Sequence, residues 1–192
     1  MFTTTLIRLN HLLAAVLAVG CASPAWLSHR PDAHTRAILL RSFTLGEGRV
    51  LTVGERVTFP GGERTEGHAT TNMGRIWMRL RTFRAPLPDS LADVSCILDH
   101  EQRVSVIYGN YAAKDFGPIA ASWQQRLGPA DSVIDVDYPS PEDRAVGRPG
   151  PGARILVWRD SATRVELTGA RPPQTRWPPS FQIVDFSRPF PH

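Results

Sequence analysis

The residue types best suited to binding chemistry recur at every second position of one short segment, as Arg75, Trp77, Arg79 and Arg81. Residues two apart lie on the same face of a β-strand. Guanidinium groups beside an indole can hold an anionic headgroup, a glycan phosphate or an acidic protein through charge-assisted hydrogen bonds and cation–π contacts. The spacing therefore marks these four residues as a candidate face for an anionic partner. The favoured alternative is that arginine stems cover Trp77 on a solvated sheet face.

A cluster of carboxylates lies further along the chain, at Asp135, Asp137, Glu142 and Asp143. Closely spaced carboxylates can hold a hard cation such as calcium. The segment lacks the glycine-centred loop that calcium motifs use, and the first two carboxylates share one strand face. We therefore interpret the cluster as a solvated strand end and predict no metal site.

Cys96 and the polar residues 99–101, Asp-His-Glu, raise the question of a nucleophilic thiol. A cysteine–histidine pair requires an accessible thiolate of low pKa beside the imidazole. Cys96 instead alternates with Val94 and Leu98, which predicts a buried and inert thiol above a polar turn. The chain shows no metal-ligand spacing, nucleophile elbow, phosphate loop or zinc signature. We therefore predict no catalytic residue, metal or cofactor, and an enzyme is the less favoured class.

Short β-strands are the elements that must position these residues. Residues 74–83 alternate most strictly, with aliphatic side chains on one face and arginines and aromatics on the other, as a half-buried antiparallel strand requires. The polar, glycine-rich residues 60–72 predict a long loop. Further strands are predicted at residues 49–53, 56–59, 92–98, 103–108, 132–137, 153–160, 163–168 and 181–185.

One amphipathic helix is predicted between these strands. Asp115 can cap its first turn, and Gly128 followed by Pro129 ends it. Its apolar stripe must bury against the sheet, since no other segment offers a comparable face. The expected fold is α+β, an antiparallel β-sheet of meanders and hairpins with one main amphipathic helix packed on one face. The stripe comprises Phe116, Ile119, Ala120, Trp123 and Leu127.

The charge balance of this 192-residue chain is mildly basic, with a formal net charge of +4 and an isoelectric point near 9.7. Nearly all the cations are arginine, and Lys114 is the only lysine. This usage is typical of genomic base composition rather than of nucleic-acid binding, so we predict no nucleic-acid partner. A mild basic excess favours anionic headgroups or an acidic envelope surface.

The first 25 residues are organised like an export signal, because Arg8 precedes a short apolar run at residues 12–19. The run is far shorter than the roughly 20 residues of a permanent membrane span. It ends in Leu17-Ala18-Val19-Gly20-Cys21. This motif resembles the lipobox of bacterial lipoproteins, in which a small residue precedes the cysteine. The match departs from the commonest form at Ala18, where leucine is usual, and it does not extend into the mature domain.

The lipobox resemblance implies that Cys21 receives a diacylglycerol through its thiol before residues 1–20 are removed. It implies a bacterial envelope protein that is anchored in a membrane and faces the periplasm or the exterior. Two alternatives stay open: ordinary signal-peptidase cleavage after Ala25, which gives a soluble periplasmic or secreted protein, and an uncleaved signal helix. A Cys21–Cys96 disulfide is conceivable only if Cys21 is retained without a lipid.

The favoured function is that of a lipid-anchored, non-enzymatic binding, interaction or structural domain. Its partners would be the membrane surface, reached through Cys21, and an envelope protein or an anionic glycan or lipid. The alternative is a small exported hydrolase or ligand-binding protein with a site between residues 60–73 and the proline-rich loops. The expected organisation is a signal peptide at 1–20 (to 25 with ordinary cleavage), a linker at 21–36, one α+β domain at 37–187 and a tail at 188–192.

Overall fold

A computed structural model describes residues 31–71, 74–84, 87–137, 150–171 and 178–187. The described residues form two α-helices and ten β-strands. In chain order these are α1 (Ala33–Arg41), β1 (Ser42–Gly46), β2 (Arg49–Thr52), β3 (Glu63–Thr71), β4 (Gly74–Arg84), β5 (Leu91–Leu98), β6 (Val104–Tyr111), α2 (Phe116–Leu127), β7 (Ser132–Val136), β8 (Ala153–Arg159), β9 (Thr163–Ala170) and β10 (Ser180–Asp185).

Eight of these strands form one antiparallel sheet in the order β3-β4-β5-β6-β10-β9-β8-β7. Strands β3 to β6 make one four-stranded meander and β7 to β10 make a second, and the two meet where β6 pairs with β10. Strands β1 and β2 form a separate hairpin. The described chain is therefore an α+β protein made mostly of antiparallel strands, as the sequence predicted.

The strand register separates an inner face of the sheet from an outer face, because facing residues on antiparallel strands share a face. One inner-face row is buried on six neighbouring strands and forms the centre of the core. The neighbouring outer-face row is mostly polar. The inner row comprises Arg81, Cys96, Ile107, Ile183, Val165 and Trp158, and the outer row Thr82, Ser95, Tyr108, Gln182, Glu166, Val157 and Ser132.

Helix α2 begins and ends where the sequence predicted. Asp115 accepts a hydrogen bond from the Gly117 backbone N–H at 3.0 Å, which caps the first turn. Gly128 follows the last turn with a φ of +79°, a conformation that glycine adopts without strain. The indole N–H of Trp123 donates to the Tyr111 hydroxyl at 2.7 Å, so the buried polar atom of the stripe has a partner.

Helix α1 begins at Ala33, four residues before the expected domain boundary at residue 37. Asp32 caps it, and its carboxylate accepts hydrogen bonds from the backbone N–H groups of His34 and Thr35 at 3.1 and 3.0 Å. Leu40 on this helix is fully buried. Helix α1 therefore spans the expected boundary between the linker and the domain.

The prediction of a loop over residues 60–72 is wrong, because β3 occupies Glu63–Thr71 and forms one edge of the sheet. The described side chains at the start of β3 are exposed on both faces, so they show no apolar alternation. The strand predicted at residues 56–59 does not form either. An isolated antiparallel bridge joins Arg56 to Arg103 in its place. The alternative hypothesis of a hydrolase or ligand-binding site at residues 60–73 assumed a loop there, and most of this segment is the strand β3.

Candidate binding surfaces

The four residues of the predicted basic face do not share one environment. Arg75 lies in β4 opposite Thr70 by backbone register, and its side chain is outside the described set. The Trp77 side chain is 46% exposed. Arg79 is partly exposed and lies 3.2 Å from a Glu66 carboxylate oxygen on β3. For Trp77 and Arg79, the anionic-partner face stays a prediction.

Arg81 is buried, so the prediction of a solvated face is wrong at this residue. Its Nε donates to the carbonyl oxygen of Gly61 at 2.6 Å, and a terminal nitrogen donates to that of Phe59 at 2.8 Å. The guanidinium also lies 5.8 Å from the Phe59 ring centroid and 5.4 Å from that of Phe83. Burial lowers the pKa of Arg81. The residue therefore fastens the chain before β3 onto the sheet.

The inward orientation of Arg81 has a simple cause. Arg81 faces Cys96 across the β4–β5 pair, and Cys96 belongs to the buried inner row. The odd-numbered residues of β4 therefore lie on the inner side of the sheet, where Arg81 and Phe83 reach the core and Phe83 is 3% exposed, whereas Trp77 stays 46% exposed. The aliphatic residues Met78 and Leu80 lie on the outer face and are partly exposed. Alternation was predicted correctly, but its inward side was not.

Cys96 is a buried free thiol, as the sequence predicted. Desolvation raises the pKa of this thiol to about 12, so the thiolate is scarce at neutral pH. The His100 side chain is largely exposed and lies 3.9 Å from Glu101. The turn that contains them is held by Asp99, which accepts hydrogen bonds from the backbone N–H groups of Glu101 and Arg103. The arrangement serves the turn and does not activate the thiol.

The carboxylates at the end of β7 pair with arginines. Asp135 accepts two hydrogen bonds from Arg154 at 2.7 and 2.9 Å, and Arg171 approaches it at 3.6 Å. Asp137 accepts a hydrogen bond from Arg171 at 2.8 Å. The hydrogen bond from Arg154 lowers the pKa of Asp135 and raises that of Arg154. Residues 142 and 143 of the predicted cluster lie outside the described residues.

A second arginine with its guanidinium inside the fold, the part-buried Arg126 on α2, was missed by sequence reasoning. Its guanidinium lies 4.8 Å from the Trp123 ring centroid and 5.7 Å from that of Phe43. It donates to the backbone carbonyls of Leu39 and Ser42 at 3.3 and 3.1 Å, and thereby satisfies the end of α1. Burial lowers the pKa of Arg126. The spacing of Trp123 and Arg126, three residues apart on a helix, was the available signal.

A cavity of about 330 Å³ opens beside β7, β8 and β9. Its apolar lining includes Ile134, the buried Val157 and Phe186, and its basic lining includes Arg159 and Arg164. Arg164 forms an ion pair with Glu166, whereas no ion pair is found for Arg159 within the described residues. An apolar floor beside a guanidinium suits an apolar group that carries or adjoins a negative charge.

Comparison with known proteins found no significant match to this chain. No protein-family model matches the chain, and neither a curated protein nor a solved structure shows significant similarity to it. Neither described helix is long and apolar enough to cross a membrane. The class that the geometry defines is therefore that of an antiparallel α+β domain with a small surface cavity.

Proposed function

We propose that the chain is an exported bacterial envelope protein that is anchored through a lipid on Cys21 and whose folded domain binds a partner. One observation carries the proposal. A short apolar run after Arg8 ends in Leu17-Ala18-Val19-Gly20-Cys21, with a small residue directly before the cysteine. The anchoring cysteine lies ten residues before Pro31, the first described residue. Ten residues can extend to about 35 Å at most, so the domain would stay close to the membrane surface.

Binding is favoured over catalysis by the way the described polar groups are used. The Cys96 thiol is buried and its pKa is raised. Arg81 and Arg126 donate to backbone carbonyls inside the fold, and Asp135 is bound by Arg154. The features that reach solvent are the cavity beside β7 and the part-exposed pair Trp77 and Arg79, which lie towards the β3 edge of the sheet. These support a role in recognising an envelope protein or an anionic glycan or lipid.

The same proposal gives α2 a structural role as the main helix covering the inner face. The support is a set of contacts between its apolar stripe and the sheet. Trp123 lies 5.1 Å from the Phe181 ring and 6.1 Å from the Trp158 ring, measured between centroids. Gly169 on β9 leaves room for Phe116, because a Cβ at this glycine would overlap the phenyl ring. A helix that closes this face leaves the outer face and the strand edges for partners.

The lipid anchor is tested by metabolic labelling with a radioactive fatty acid in bacteria that express the full chain. We expect label in the parent chain, loss of label in Cys21→Ser, and a shift of that variant out of the membrane fraction. Cys96→Ala is the matched control, because it removes the only other cysteine and should leave both label and fractionation unchanged. Label that persists in Cys21→Ser, or an unlabelled parent chain, would refute the anchor.

A further inference from the structure

The two edge strands of the eight-stranded sheet carry different kinds of side chain. Among the described residues β3 pairs only with β4 and β7 only with β8, so each edge offers a row of backbone groups to an added strand. Edge β3 carries Glu63, Arg64 and Glu66, and charges on an edge oppose strand pairing. Edge β7 carries Val133 and Ile134, which are 55% and 41% exposed. Strand β7 contains one charged residue, Asp135, so it has less of this protection than β3.

We propose that β7 is a homodimer interface, at which the β7 strands of two copies of this chain pair antiparallel across a two-fold axis. Such isologous pairing is the commonest symmetry of soluble homo-oligomers. It would join the two eight-stranded sheets edge to edge. The proposal concerns the folded domain and does not depend on the lipid anchor.

The sequence of β7 suits a second copy of itself. Residues 131–137 read Asp-Ser-Val-Ile-Asp-Val-Asp and are centred on Ile134. In a symmetric antiparallel register Ile134 faces the partner's Ile134, and Ser132 faces the partner's Val136. Facing side chains lie on the same face of the extended sheet, so the two isoleucines would contact each other on the outer face. This pairing removes an exposed β-branched residue of each copy from water.

Charge does not oppose this approach, because each acidic residue of the segment has an arginine partner in its own chain. Asp131 pairs with Arg36 at 2.5 Å, Asp135 with Arg154 at 2.7 Å and Asp137 with Arg171 at 2.8 Å. Two copies of β7 therefore meet as neutralised strands rather than as two rows of carboxylates.

The cavity beside β7 gives the second copy a further contact. Ile134 and Ser132 belong to the lining of this cavity, and Phe186 lies in the same lining with 58% of its side chain exposed. The partner's Ile134 and Val136 would extend this apolar wall. A strand of five residues lies at the small end of specific interfaces, so we expect a weak, concentration-dependent dimer rather than an obligate one.

Sedimentation equilibrium of the full chain tests the association, with detergent present if the protein carries a lipid. We expect a monomer–dimer equilibrium whose dissociation constant rises at least about tenfold in Ile134→Lys, since a lysine at an edge opposes pairing. The matched control is Thr65→Lys, which places a lysine on the outer face of the β3 edge, opposite Leu80, and should leave the constant unchanged. Circular dichroism checks that both variants are folded.

Cysteine cross-linking tests the register. Facing residues in an antiparallel pair have Cα atoms about 4.5–5.5 Å apart, within the range of a disulfide. Ile134→Cys should therefore give a covalent dimer under mild oxidation. Val133→Cys should not, because its counterpart lies diagonally across, about 7–8 Å away. The parent chain is the control for Cys96, which is buried, and for Cys21.

A chain that stays monomeric at all attainable concentrations would overturn the proposal, as would equal association of the Ile134→Lys and Thr65→Lys variants. Equal cross-linking of the two cysteine variants would exclude the symmetric register. None of these outcomes depends on fatty-acid labelling, so failure of the dimer and failure of the Cys21 anchor are distinguishable. If both hold, membrane anchoring would raise the local concentration of the domain and favour the weak dimer.

Discussion

Two arginines, one in each half of this sheet, are used in opposite ways. In the first meander Arg81 is buried and donates to two backbone carbonyls between two aromatic rings. In the second meander Arg154 is partly exposed and forms a two-point pair with Asp135. The pKa of Arg81 is lowered by desolvation, whereas that of Arg154 is raised by its hydrogen bond to Asp135. One guanidinium organises backbone and the other neutralises a carboxylate.

The difference shows why a basic composition is a poor guide to partners in this protein. Arg81 and Arg126 donate to backbone carbonyl groups inside the fold, so their guanidinium groups serve folding rather than surface recognition. Arg36, Arg154 and Arg171 balance acidic residues around β7. Much of the described positive charge therefore has a structural partner, and the surface available for recognition is smaller than the composition implies.

The largest expected effect in this comparison is that of Arg81→Met. Methionine fills space but donates nothing, so the carbonyl groups of Phe59 and Gly61 lose their donors and the aromatic contacts lose the cation. We expect the free energy of unfolding to fall by about 3 kcal/mol, measured by urea denaturation.

The control for Arg81→Met is Arg79→Met on the same strand. Arg79 is partly exposed and pairs with Glu66, an interaction that should contribute less than about 1 kcal/mol. If Arg81→Met were as stable as the parent chain, the cost of burying the guanidinium would equal the value of its hydrogen bonds. The hydrogen bonds of Arg81 would then not stabilise the position of residues 59–61 on the sheet.

Arg126→Met should have a smaller effect, because its hydrogen bonds to Leu39 and Ser42 are longer and its Nε has no partner. We expect a loss of about 1–2 kcal/mol in urea denaturation. Gln125→Met, an exposed change on the same helix, should be near neutral. A loss in Arg126→Met as large as in Arg81→Met would mean that contact with Trp123 matters more than hydrogen-bond length.

The sequence predicted those elements that have one apolar, buried face and one polar, exposed face. Helix α2 has a clear apolar stripe between Asp115 and Gly128, and the hairpin of β5 and β6 turns at a polar tetrad that Asp99 holds by hydrogen bonds. Strand β3 was missed because it is an edge whose early residues are exposed on both faces. Backbone pairing with β4 fixes the position of β3. Such pairing cannot be recognised from a sequence whose side chains are polar on both faces.

The candidate site was predicted less well than the fold, for a related reason. Alternation along β4 separates two faces but does not say which one turns inward. That choice was made by the neighbouring strands, which bring Cys96, Ile107 and Ile183 to the same row as Arg81. The cavity beside β7 combines residues from three strands and Phe186, so no local pattern marks it. Cys21 lies outside the described residues, and its lipidation stays a prediction.

The smallest expected effect concerns the ion pair of Asp135 and Arg154, and it should depend on pH. The hydrogen bond from Arg154 holds the pKa of Asp135 below its usual value, so the ionised carboxylate favours the folded state. This contribution is fully present above the unfolded pKa of about 3.9 and is lost as the pH falls through the folded pKa. Arg154→Met should therefore be less stable than the parent chain at neutral pH, and the two chains should converge in acid.

A double-mutant cycle separates this pair from other acid-sensitive groups. Asp32 also has a lowered pKa, because Thr35 donates a hydrogen bond to it, but it is present in both chains and cancels in their difference. Asp135→Asn should remove the acid-dependent stability that this carboxylate contributes, and Arg154→Met should reduce it, since Arg171 also lies 3.6 Å from Asp135. Combining the two substitutions should cost little more than Asp135→Asn alone. Arg81→Met should leave the same difference intact, because Arg81 has backbone carbonyls rather than a carboxylate as acceptors. An acid-dependent loss in Arg81→Met would mean that the two arginine environments are electrostatically coupled, contrary to their separation in the sheet.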